Sequence, residues 1–253
     1  MKSLFDLSGK VALITGGSSG IGQQQALALA QAGASVILLG RREAELDKTV
    51  SSINKLDAKA AALAADLSDL NQLEQIATRA AEPFGSIDIL INAAGVNFRQ
   101  PVEEITLDSW DKTINLNLTV PFFLARELIP AMQAKGWGRI INIASLQSSR
   151  AFANSIPYGA SKGGVAQLTR AMAEAWSAKG VNSNAIAPGF FPTGLTAPVY
   201  QNPEMLDKLA NQTAIGRNGE LTDLDGVTVF LASPASDYIT GQVIHLDGGF
   251  TAK

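Results

Sequence analysis

Residues 10–22 of the chain are KVALITGGSSGIG, an apolar run that leads into a glycine-rich turn. The run Val11–Thr15 is typical of a buried β-strand, and the Ala- and Leu-rich sequence after the turn favours a helix. Gly16 permits a tight turn, Gly20 lets the backbone approach a pyrophosphate, and Gly22 lets the helix pack closely on the strand. The pattern therefore predicts a nucleotide-binding unit whose helix N-terminus faces an anion. A turn with a purely structural role is the alternative.

The sequence Tyr158-Gly-Ala-Ser-Lys162, with Ser145 upstream at the end of an apolar run, forms a second pattern. Residues four apart on a helix lie on one face, so the Lys162 ammonium would lie beside the Tyr158 phenol. A neighbouring positive charge favours the ionised phenol and would lower its pKa below the usual value of about 10. The pattern thus predicts a tyrosine that can exchange protons near neutral pH. For this pair taken alone, the alternative is a half-buried aromatic ring beside a lysine that reaches solvent.

Strand-like and helix-like segments alternate along the chain, which is typical of a parallel sheet covered by helices on both faces. The predicted strands are Val11–Thr15, Ser35–Leu39, Ala60–Ala65, Ile87–Asn92, Arg139–Ala144, Asn182–Ile186 and Val243–Leu246. We therefore predict one α/β domain over residues 1–253, built on a Rossmann-type, doubly wound sheet of seven parallel strands. A mobile insertion rich in Pro, Asn and Thr is predicted from about Phe190 to Gly219, before the last helix.

Composition narrows the classes of function. The 253 residues are 46% hydrophobic, but the apolar residues are spread in short runs rather than in a membrane-length stretch. Charged residues interrupt the N-terminus before a signal-peptide core could form, and the chain has no Cys, so we expect a cytoplasmic protein without a membrane partner. A net charge of −3 without a long basic run argues against nucleic acid as a partner. Because His245 is the one histidine, no metal site is predicted, and a structural role is expected for this residue.

The ordered motifs of the chain resemble those of the short-chain dehydrogenase/reductase family over essentially its whole length. They are Thr15-Gly16-x-x-x-Gly20-x-Gly22, Asp66, Asn92-Ala93-Ala94-Gly95, Asn117, Ser145, Tyr158, Lys162, Pro188-Gly189 and Asp247-Gly248-Gly249. One departure is visible, because Ala93 replaces the second Asn of the Asn-Asn-Ala-Gly segment that is usual in the family. That segment supports the central strand in relatives, so the departure concerns local packing rather than chemistry.

The resemblance implies an oxidoreductase that exchanges hydride and a proton with a small molecule carrying a carbonyl or a secondary alcohol. Tyr158 would be the acid or base, and Ser145 would polarise the carbonyl. Lys162 would lower the tyrosine pKa and hold the nicotinamide ribose, and Asn117 would hold a water that links Lys162 to solvent. The cofactor contacts that the resemblance implies are Gly16, Ser18, Ser19, Gly20, Ile21, Gly22, Asp66, Leu67, Asn92, Ala93, Gly95, Tyr158, Lys162, Pro188, Gly189, Phe191 and Thr193.

The residues that follow the second strand, Gly40-Arg41-Arg42, indicate which nicotinamide cofactor binds. An acidic residue at this place would bind the ribose 2′-hydroxyl of NAD, whereas an Arg accommodates the 2′-phosphate of NADP. Gly40 brings no charge, and the guanidiniums of Arg41 and Arg42 favour a phosphate through charge-assisted contacts. NADP is therefore predicted, with NAD as the alternative. A solvated basic start to the next helix would also explain the two arginines.

One predicted helix contains a proline next to a site residue. Its apolar residues recur with helical spacing at Trp110, Ile114, Leu118 and Phe122. Pro121 has no N–H to donate to the carbonyl four residues earlier, which belongs to Asn117. We predict an interrupted hydrogen-bond ladder that leaves this carbonyl free for the relay water, together with a kink. The alternative is that Pro121 only bends the helix around the sheet.

Three segments resemble the gluconate and deoxygluconate dehydrogenase branch of the family, namely residues 96–99, 145–150 and 215–220. This resemblance implies a sugar acid or its keto form as substrate. Candidate substrate contacts are Arg99, Gln147 and Arg150, and either arginine could bind a carboxylate in bidentate fashion. Two alternatives stay open: a reductase of 3-oxoacyl chains or of a broad range of ketones, and a nonenzymatic NADP-binding regulator.

The family resemblance also implies a homotetramer, associated through the helices after strands four and five and through the last helix and strand. Apolar residues expected in those contacts are Trp110, Phe122, Phe123, Leu168, Met172, Trp176, Val229, Phe230, Val243 and Ile244. One stripe of each helix must nevertheless face the protomer's own sheet.

Overall fold

Seven parallel strands form one sheet in the computed structural model, which describes residues 4–253. In chain order they are β1 (Val11–Thr15), β2 (Ser35–Gly40), β3 (Ala60–Ala64), β4 (Ile89–Asn92), β5 (Gly138–Ile143), β6 (Val181–Pro188) and β7 (Val243–Leu246). All seven predicted strands are present, with ends that differ by at most two residues. The first three residues of the predicted domain lie outside the described residues.

The order of the strands in the sheet is β3-β2-β1-β4-β5-β6-β7. The chain winds outward from β1 in one direction as far as β3, and β4 then pairs with the other side of β1. A reversal of this kind leaves a crevice outside the carboxyl ends of the two central strands, which is where such sheets bind ligands. The predicted doubly wound, Rossmann-type fold is confirmed.

Helices cover both faces of the sheet. They are α1 (Gly20–Gln31), α2 (Glu43–Asn54), α3 (Leu73–Ala81), α4 (Leu107–Ile114), α5 (Val120–Ala134), α6 (Ile156–Trp176), α7 (Ala197–Tyr200), α8 (Pro203–Gln212) and α9 (Leu224–Ala232). Successive strand residues point to opposite faces, so Leu13 and Leu90 pack with α3, α5 and α6, whereas Ile14 and Ile91 pack with α1, α2 and α9. Burial on both faces is why the strands appear in the sequence as continuous apolar runs.

The chain between α4 and α5 is helical but widened. Residues Asn115–Thr119 form a π-helical turn, in which the Val120 N–H bonds to the Asn115 carbonyl five residues earlier. Pro121 follows in the first turn of α5, where its missing N–H is tolerated. The predicted interruption of the ladder thus takes the form of a π-turn that contains Asn117. Turns of this type occur frequently at functional sites.

The predicted insertion at residues 190–219 carries regular structure of its own, because α7 and α8 lie within it. Asn202 caps α8 by accepting the Met205 N–H at 3.0 Å. The two ends of the insertion meet where the Gly219 N–H donates to the Phe190 carbonyl at 2.9 Å. Its mobility stays a prediction.

Candidate active site

A cavity of about 470 Å³ opens at the carboxyl edge of the sheet and is lined by the turns that follow β1 to β6. Every predicted cofactor contact except Asn92 lines it, and so do Arg41 and Arg42. Of the other predicted site residues, Ser145, Arg99 and Gln147 also line the cavity, whereas Asn117 and Arg150 do not. The sequence patterns therefore converge on one place.

The glycine turn after β1 has the geometry that its residues suggested. Gly16 and Gly20 have φ values of +71° and +58°, in the left-handed region that favours glycine. A Cβ added at Gly22 would lie 2.6 Å from the Gly16 carbonyl oxygen, so only glycine lets α1 start so close to the turn. A Cβ at Gly20 would come within 3.2 Å of the Thr193 methyl group, which shows that the insertion packs against the turn.

The segment after β4 is held by the Thr15 hydroxyl, which accepts the N–H groups of Ala93 and Ala94, each at 3.0 Å. Both contacts involve only the backbone of the segment. The departure from the family pattern at Ala93 therefore leaves this support unchanged.

Asn92 plays a different part from the one expected. Its side chain is buried, and its Nδ2 donates to Asn142 Oδ1 at 2.9 Å, while Nδ2 of Asn142 donates to the Thr169 hydroxyl at 3.0 Å. Asn92 does not line the cavity, and its contact with the cofactor stays a prediction. The three residues form a buried polar link between β4, β5 and α6.

Tyr158, Lys162 and Ser145 meet at one end of the cavity. Tyr158 and Lys162 lie in the first two turns of α6, and Ser145 is the second residue after the end of β5. The Ser145 hydroxyl is close enough to the Tyr158 phenol to lower its pKa as a hydrogen-bonding group, and it accepts the Gln147 N–H at 3.1 Å. This places a phenol and a hydroxyl side by side, where both can face one oxygen atom of a substrate.

The electrostatics of this cluster differ from the prediction. Burial raises the pKa of the Tyr158 phenol, and the Ser145 hydrogen bond and the charge of Arg99 act in the opposite direction. Burial also lowers the pKa of Lys162 to about 8. The Lys162 ammonium donates to the Ile143 carbonyl at 2.5 Å and lies 5.6 Å from the centre of the Tyr158 ring. The expectation that Lys162 lowers the tyrosine pKa is therefore not met in this arrangement, in which burial is the largest influence on the phenol and Lys162 is not among the groups that lower its pKa.

Asn117 lies behind the cavity and clamps two elements together. Its Oδ1 accepts the Val96 N–H at 2.9 Å, and its Nδ2 donates to the Val96 carbonyl and to the Ser161 hydroxyl, both at 3.0 Å. The carboxamide is thus occupied in fixing the segment after β4 to α6. A relay water at this residue would have to use the main-chain carbonyl, which is the acceptor predicted from the position of Pro121.

The corner after β2, formed by residues 40–42, carries two positively charged side chains and has free space beside Gly40. Arg42 donates to the hydroxyls of Ser18 at 3.0 Å and Ser19 at 2.8 Å, so the serines of the glycine turn orient this guanidinium. A Cβ added at Gly40 would meet nothing nearer than 3.6 Å. Arg41 lies near Asp66, whose pKa is lowered chiefly by the hydrogen bond from the Ser68 backbone and to a smaller extent by Arg41. The corner therefore presents two guanidiniums to a ligand.

Arg99 and Arg150, proposed together as substrate contacts, are separated by the structure. Arg99 lines the cavity, has a φ of +53° and donates to the Leu195 carbonyl of the insertion at 3.3 Å. Arg150 instead donates to the Lys253 carbonyl at 3.0 Å and lies over the Phe250 ring. The partner of Arg150 is thus a residue 103 positions away in the chain, and its contact with a substrate stays a prediction.

The cavity residues that were not predicted as contacts include Asn97, Phe152 and Phe190. Phe190 directly follows the Pro188-Gly189 motif, and Asn97 lies two residues after Gly95, so their place beside known motifs was an available signal. Phe152 had no such signal. It lies between the short 3-10 turn Leu146–Ser148 and α6, in a loop without a motif.

In the described part of the chain, no group of three or more His, Cys, Asp or Glu side chains is placed to hold a metal ion. His245 is one-third exposed on β7, with Nδ1 3.9 Å from Asp247. Among residues 4–253, no helix has the length and apolar character needed to cross a membrane.

Comparison with known proteins places the chain among nicotinamide-dependent enzymes. A family model described as enoyl-(acyl carrier protein) reductase matches residues 16–251. The chain is 40% identical over 250 residues to the gluconate 5-dehydrogenase of Gluconobacter oxydans, covering 99% of this chain and 98% of that protein. It is 39% identical over 252 residues to the 2-dehydro-3-deoxy-D-gluconate 5-dehydrogenase of Escherichia coli, covering 99% of each.

Solved structures are similar over the same length. The gluconate 5-dehydrogenase from Burkholderia cenocepacia, in complex with NADP and tartrate, has a TM-score of 0.93 and 36% identity over 98% of each chain. A 3-oxoacyl (acyl-carrier-protein) reductase from Agrobacterium tumefaciens with NADP bound has a TM-score of 0.91 and 31% identity, over 97% of this chain and 95% of that one. The likeness therefore spans the cavity and all the elements that build it.

Proposed function

The chain belongs to the short-chain dehydrogenase/reductase family of NAD(P)-dependent oxidoreductases, and from that premise we propose that it transfers hydride between NADP(H) and a sugar acid. The observation that carries the proposal is the pairing of the Tyr158 phenol with the Ser145 hydroxyl at the end of a cavity that has two arginines at its other side. A proton donor, a carbonyl-orienting group and a phosphate corner are the parts that such a reaction needs.

The residues of the cavity fit NADP. The glycine turn lines the cavity and leads directly into α1, so the free N–H groups of the first helical turn would be available to a pyrophosphate. Arg41 and Arg42 would hold the 2′-phosphate, and Ser18 and Ser19 already orient Arg42. When bound, NADP(H) supplies or accepts the hydride.

The chain's own groups carry the proton. In carbonyl reduction, Tyr158 donates its phenolic proton to the substrate oxygen, and the Ser145 hydroxyl orients that oxygen by a hydrogen bond. In alcohol oxidation, the tyrosine receives the proton. Lys162, buried and bonded to the Ile143 carbonyl, would hold the ribose and assist transfer of the proton to a water held at the Asn117 main chain.

A sugar acid is supported as substrate by three observations. The relatives at 40% and 39% identity are named for gluconate and for 2-dehydro-3-deoxy-D-gluconate, and the Burkholderia enzyme was solved with tartrate. Arg99 brings a positive charge close enough to act on the Tyr158 phenol. We infer that Arg99 binds the carboxylate of the sugar acid and that Gln147 binds one of its hydroxyl groups.

The test is a screen of sugar acids, polyols and keto esters with NADP(H) and NAD(H). Sugar acids with NADP(H) should give the highest kcat/KM. The second candidate, a 3-oxoacyl or ketone reductase, is favoured by the apolar wall of Phe152 and Phe190 and by the name of the family model. Turnover confined to keto esters or acyl thioesters would establish that candidate instead, and binding of NADP without any turnover would favour a nonenzymatic regulator.

We also propose a homotetramer acting in the cytoplasm. Phe122 and Trp176 are only partly buried and stack with ring centres 6.4 Å apart, while β7 is an edge strand with half-buried Val243 and Ile244. Such apolar surfaces on helices and at a sheet edge suit self-complementary contacts. Met172 was also expected in the subunit contacts, but its side chain is buried in the protomer's own core and is not available to a second subunit. The absence of Cys supports a cytoplasmic site of action.

A further inference from the structure

Residues 247–253, here named the C-terminal hook, fold back on the insertion. Asp247 builds the turn by accepting the N–H groups of Gly249 and Thr251, both at 2.9 Å, and the Thr251 hydroxyl at 2.7 Å. Gly248 and Gly249 have φ values of +62° and +79°, which the turn requires. The result is that Phe250 is buried.

Phe250 packs against the wall of the substrate end of the cavity without bordering the cavity itself. Its ring centre lies 6.4 Å from that of Phe152 and 5.9 Å from that of Phe190, and the rings of Phe152 and Phe190 are 6.2 Å apart. Phe152 and Phe190 both line the cavity that contains Tyr158. The hook therefore supports two cavity-lining rings from behind.

Two cationic side chains tie the hook down at separate points. Arg150 donates to the Lys253 carbonyl at 3.0 Å, and its guanidinium lies 5.6 Å from the centre of the Phe250 ring. The Lys253 ammonium donates to the Thr213 carbonyl at 2.8 Å and to the Asn211 carbonyl at 3.3 Å. These carbonyls lie at the end of α8, where a positive charge is favourable.

We propose that Arg150, Phe250 and Lys253 are positioning residues for the substrate. They connect the loop after β5, the insertion and the hook, and so fix the Phe152–Phe190 wall relative to Tyr158. The glycine turn after β1 and the arginines after β2, which would hold the pyrophosphate and the 2′-phosphate, make none of these contacts. Loosening the hook should therefore alter binding of the substrate but not of the cofactor. The inference rests on the proposed function, since it concerns the substrate of that reaction.

The kinetic test compares Arg150→Ala, Lys253→Ala and Phe250→Leu with the wild type, using D-gluconate and NADP as the probe pair. The net contribution of one hydrogen bond corresponds to about a fivefold change in a binding constant. Because each variant removes a contact that positions the wall, we expect KM for gluconate to rise by about fivefold or more. The values of kcat and of KM for NADP should stay within about twofold. Lys253→Arg should restore the wild-type KM, because the cation at the end of α8 is kept.

A matched control is Lys10→Ala, which removes another cation–aromatic contact, 3.6 Å above the Trp137 ring, just before β1 and outside the residues that line the cavity. Hydrogen exchange gives a readout that needs no activity. Peptides covering residues 190–215 should exchange faster in Arg150→Ala and Lys253→Ala than in the wild type or in Lys10→Ala.

Two results would overturn the inference: unchanged exchange in that segment, or a fall in kcat with KM for gluconate unchanged. A wild-type protein that oxidises no sugar acid would refute the proposed function, and the exchange measurement would then decide the role of the hook by itself.

Discussion

Tyr158 shows how a single side chain depends on its neighbours. Its burial raises the phenol pKa, which keeps the proton on the oxygen, while Ser145 and Arg99 favour its release. A phenol that holds its proton is suited to donating it to a carbonyl. A charged substrate group that pairs with Arg99 would weaken one of the two influences that favour ionisation, so binding of a carboxylate and protonation of the acid are coupled.

Tyr158→Phe should lower turnover by about 10² to 10⁴, because it removes the proton donor and keeps the ring. The dissociation constant for NADPH, measured by fluorescence titration, should stay nearly unchanged. Tyr238→Phe is the control, since that tyrosine is fully exposed. Near-normal turnover in Tyr158→Phe would rule out the assigned role.

Lys162 gives a prediction about pH and stability. A lysine in the unfolded chain has a pKa of 10.5, whereas burial lowers it to about 8 in the folded protein. Between these values the unfolded chain holds a proton that the folded chain lacks, so stability rises with pH across this window. The free energy of unfolding of the wild type, relative to Lys162→Met, should therefore increase from about pH 8 to about pH 10 in urea titrations. A difference that stays constant over this range would contradict the lowered pKa.

Arg41→Ala should weaken binding of NADP by more than about tenfold, since a hydrogen bond to a charged group contributes about 1.5–3 kcal/mol. Binding of NAD, which lacks the 2′-phosphate, should change little. Steady-state kinetics with both cofactors measure the effect, and Lys48→Ala on exposed α2 controls for loss of one positive charge. Equal effects on the two cofactors would rule against Arg41 as the phosphate ligand.

At the scale of single elements, the glycine turn between β1 and α1 is the most constrained part of the site. Gly22→Ala would place a Cβ 2.6 Å from the Gly16 carbonyl oxygen, and relief of such a clash costs about 1–3 kcal/mol. We expect lower thermal stability and weaker NADP binding, measured by scanning calorimetry with and without the cofactor. Gly85→Ala is the control, because the added Cβ meets nothing within 4 Å. Its stability should fall only by the cost of placing a non-glycine residue at φ +89°, and its NADP binding should be unchanged. Unchanged NADP binding in Gly22→Ala would contradict the tight packing of the turn.

The sequence was sufficient to predict the elements and site residues that are marked by patterns of neighbouring residues. Strands buried on both faces gave continuous apolar runs, and the glycine, Tyr158 and Lys162 patterns placed their residues on one edge of the sheet. Contacts between distant segments could not be predicted in this way. The partner of Arg150 is 103 residues away, and Lys162 finds the carbonyl of Ile143 rather than the neighbouring phenol. The tyrosine pKa also depends on burial, which appears only when the fold is complete.

For the whole molecule, the association state can be measured directly. If the half-buried helix and edge-strand surfaces associate as proposed, light scattering at micromolar concentration should give about four times the protomer mass of 26.5 kDa. Replacing Ile244 on β7 by Lys should reduce that mass, because an exposed charge disfavours pairing of edge strands. A mass near that of one protomer in the wild type would refute the tetramer.

The order of the strands also has a consequence for synthesis on the ribosome. Strand β1 can pair with β2 once residue 40 has emerged. Its other edge stays unpaired until β4, which ends at residue 92, has emerged as well. During that interval a central, apolar strand has an open edge, the kind of surface through which nascent chains aggregate. Residues 247–253, the hook, emerge after all seven strands. The half of the sheet that would bind the nucleotide can therefore form early, whereas the substrate wall is completed only after residues 247–253 have left the exit tunnel.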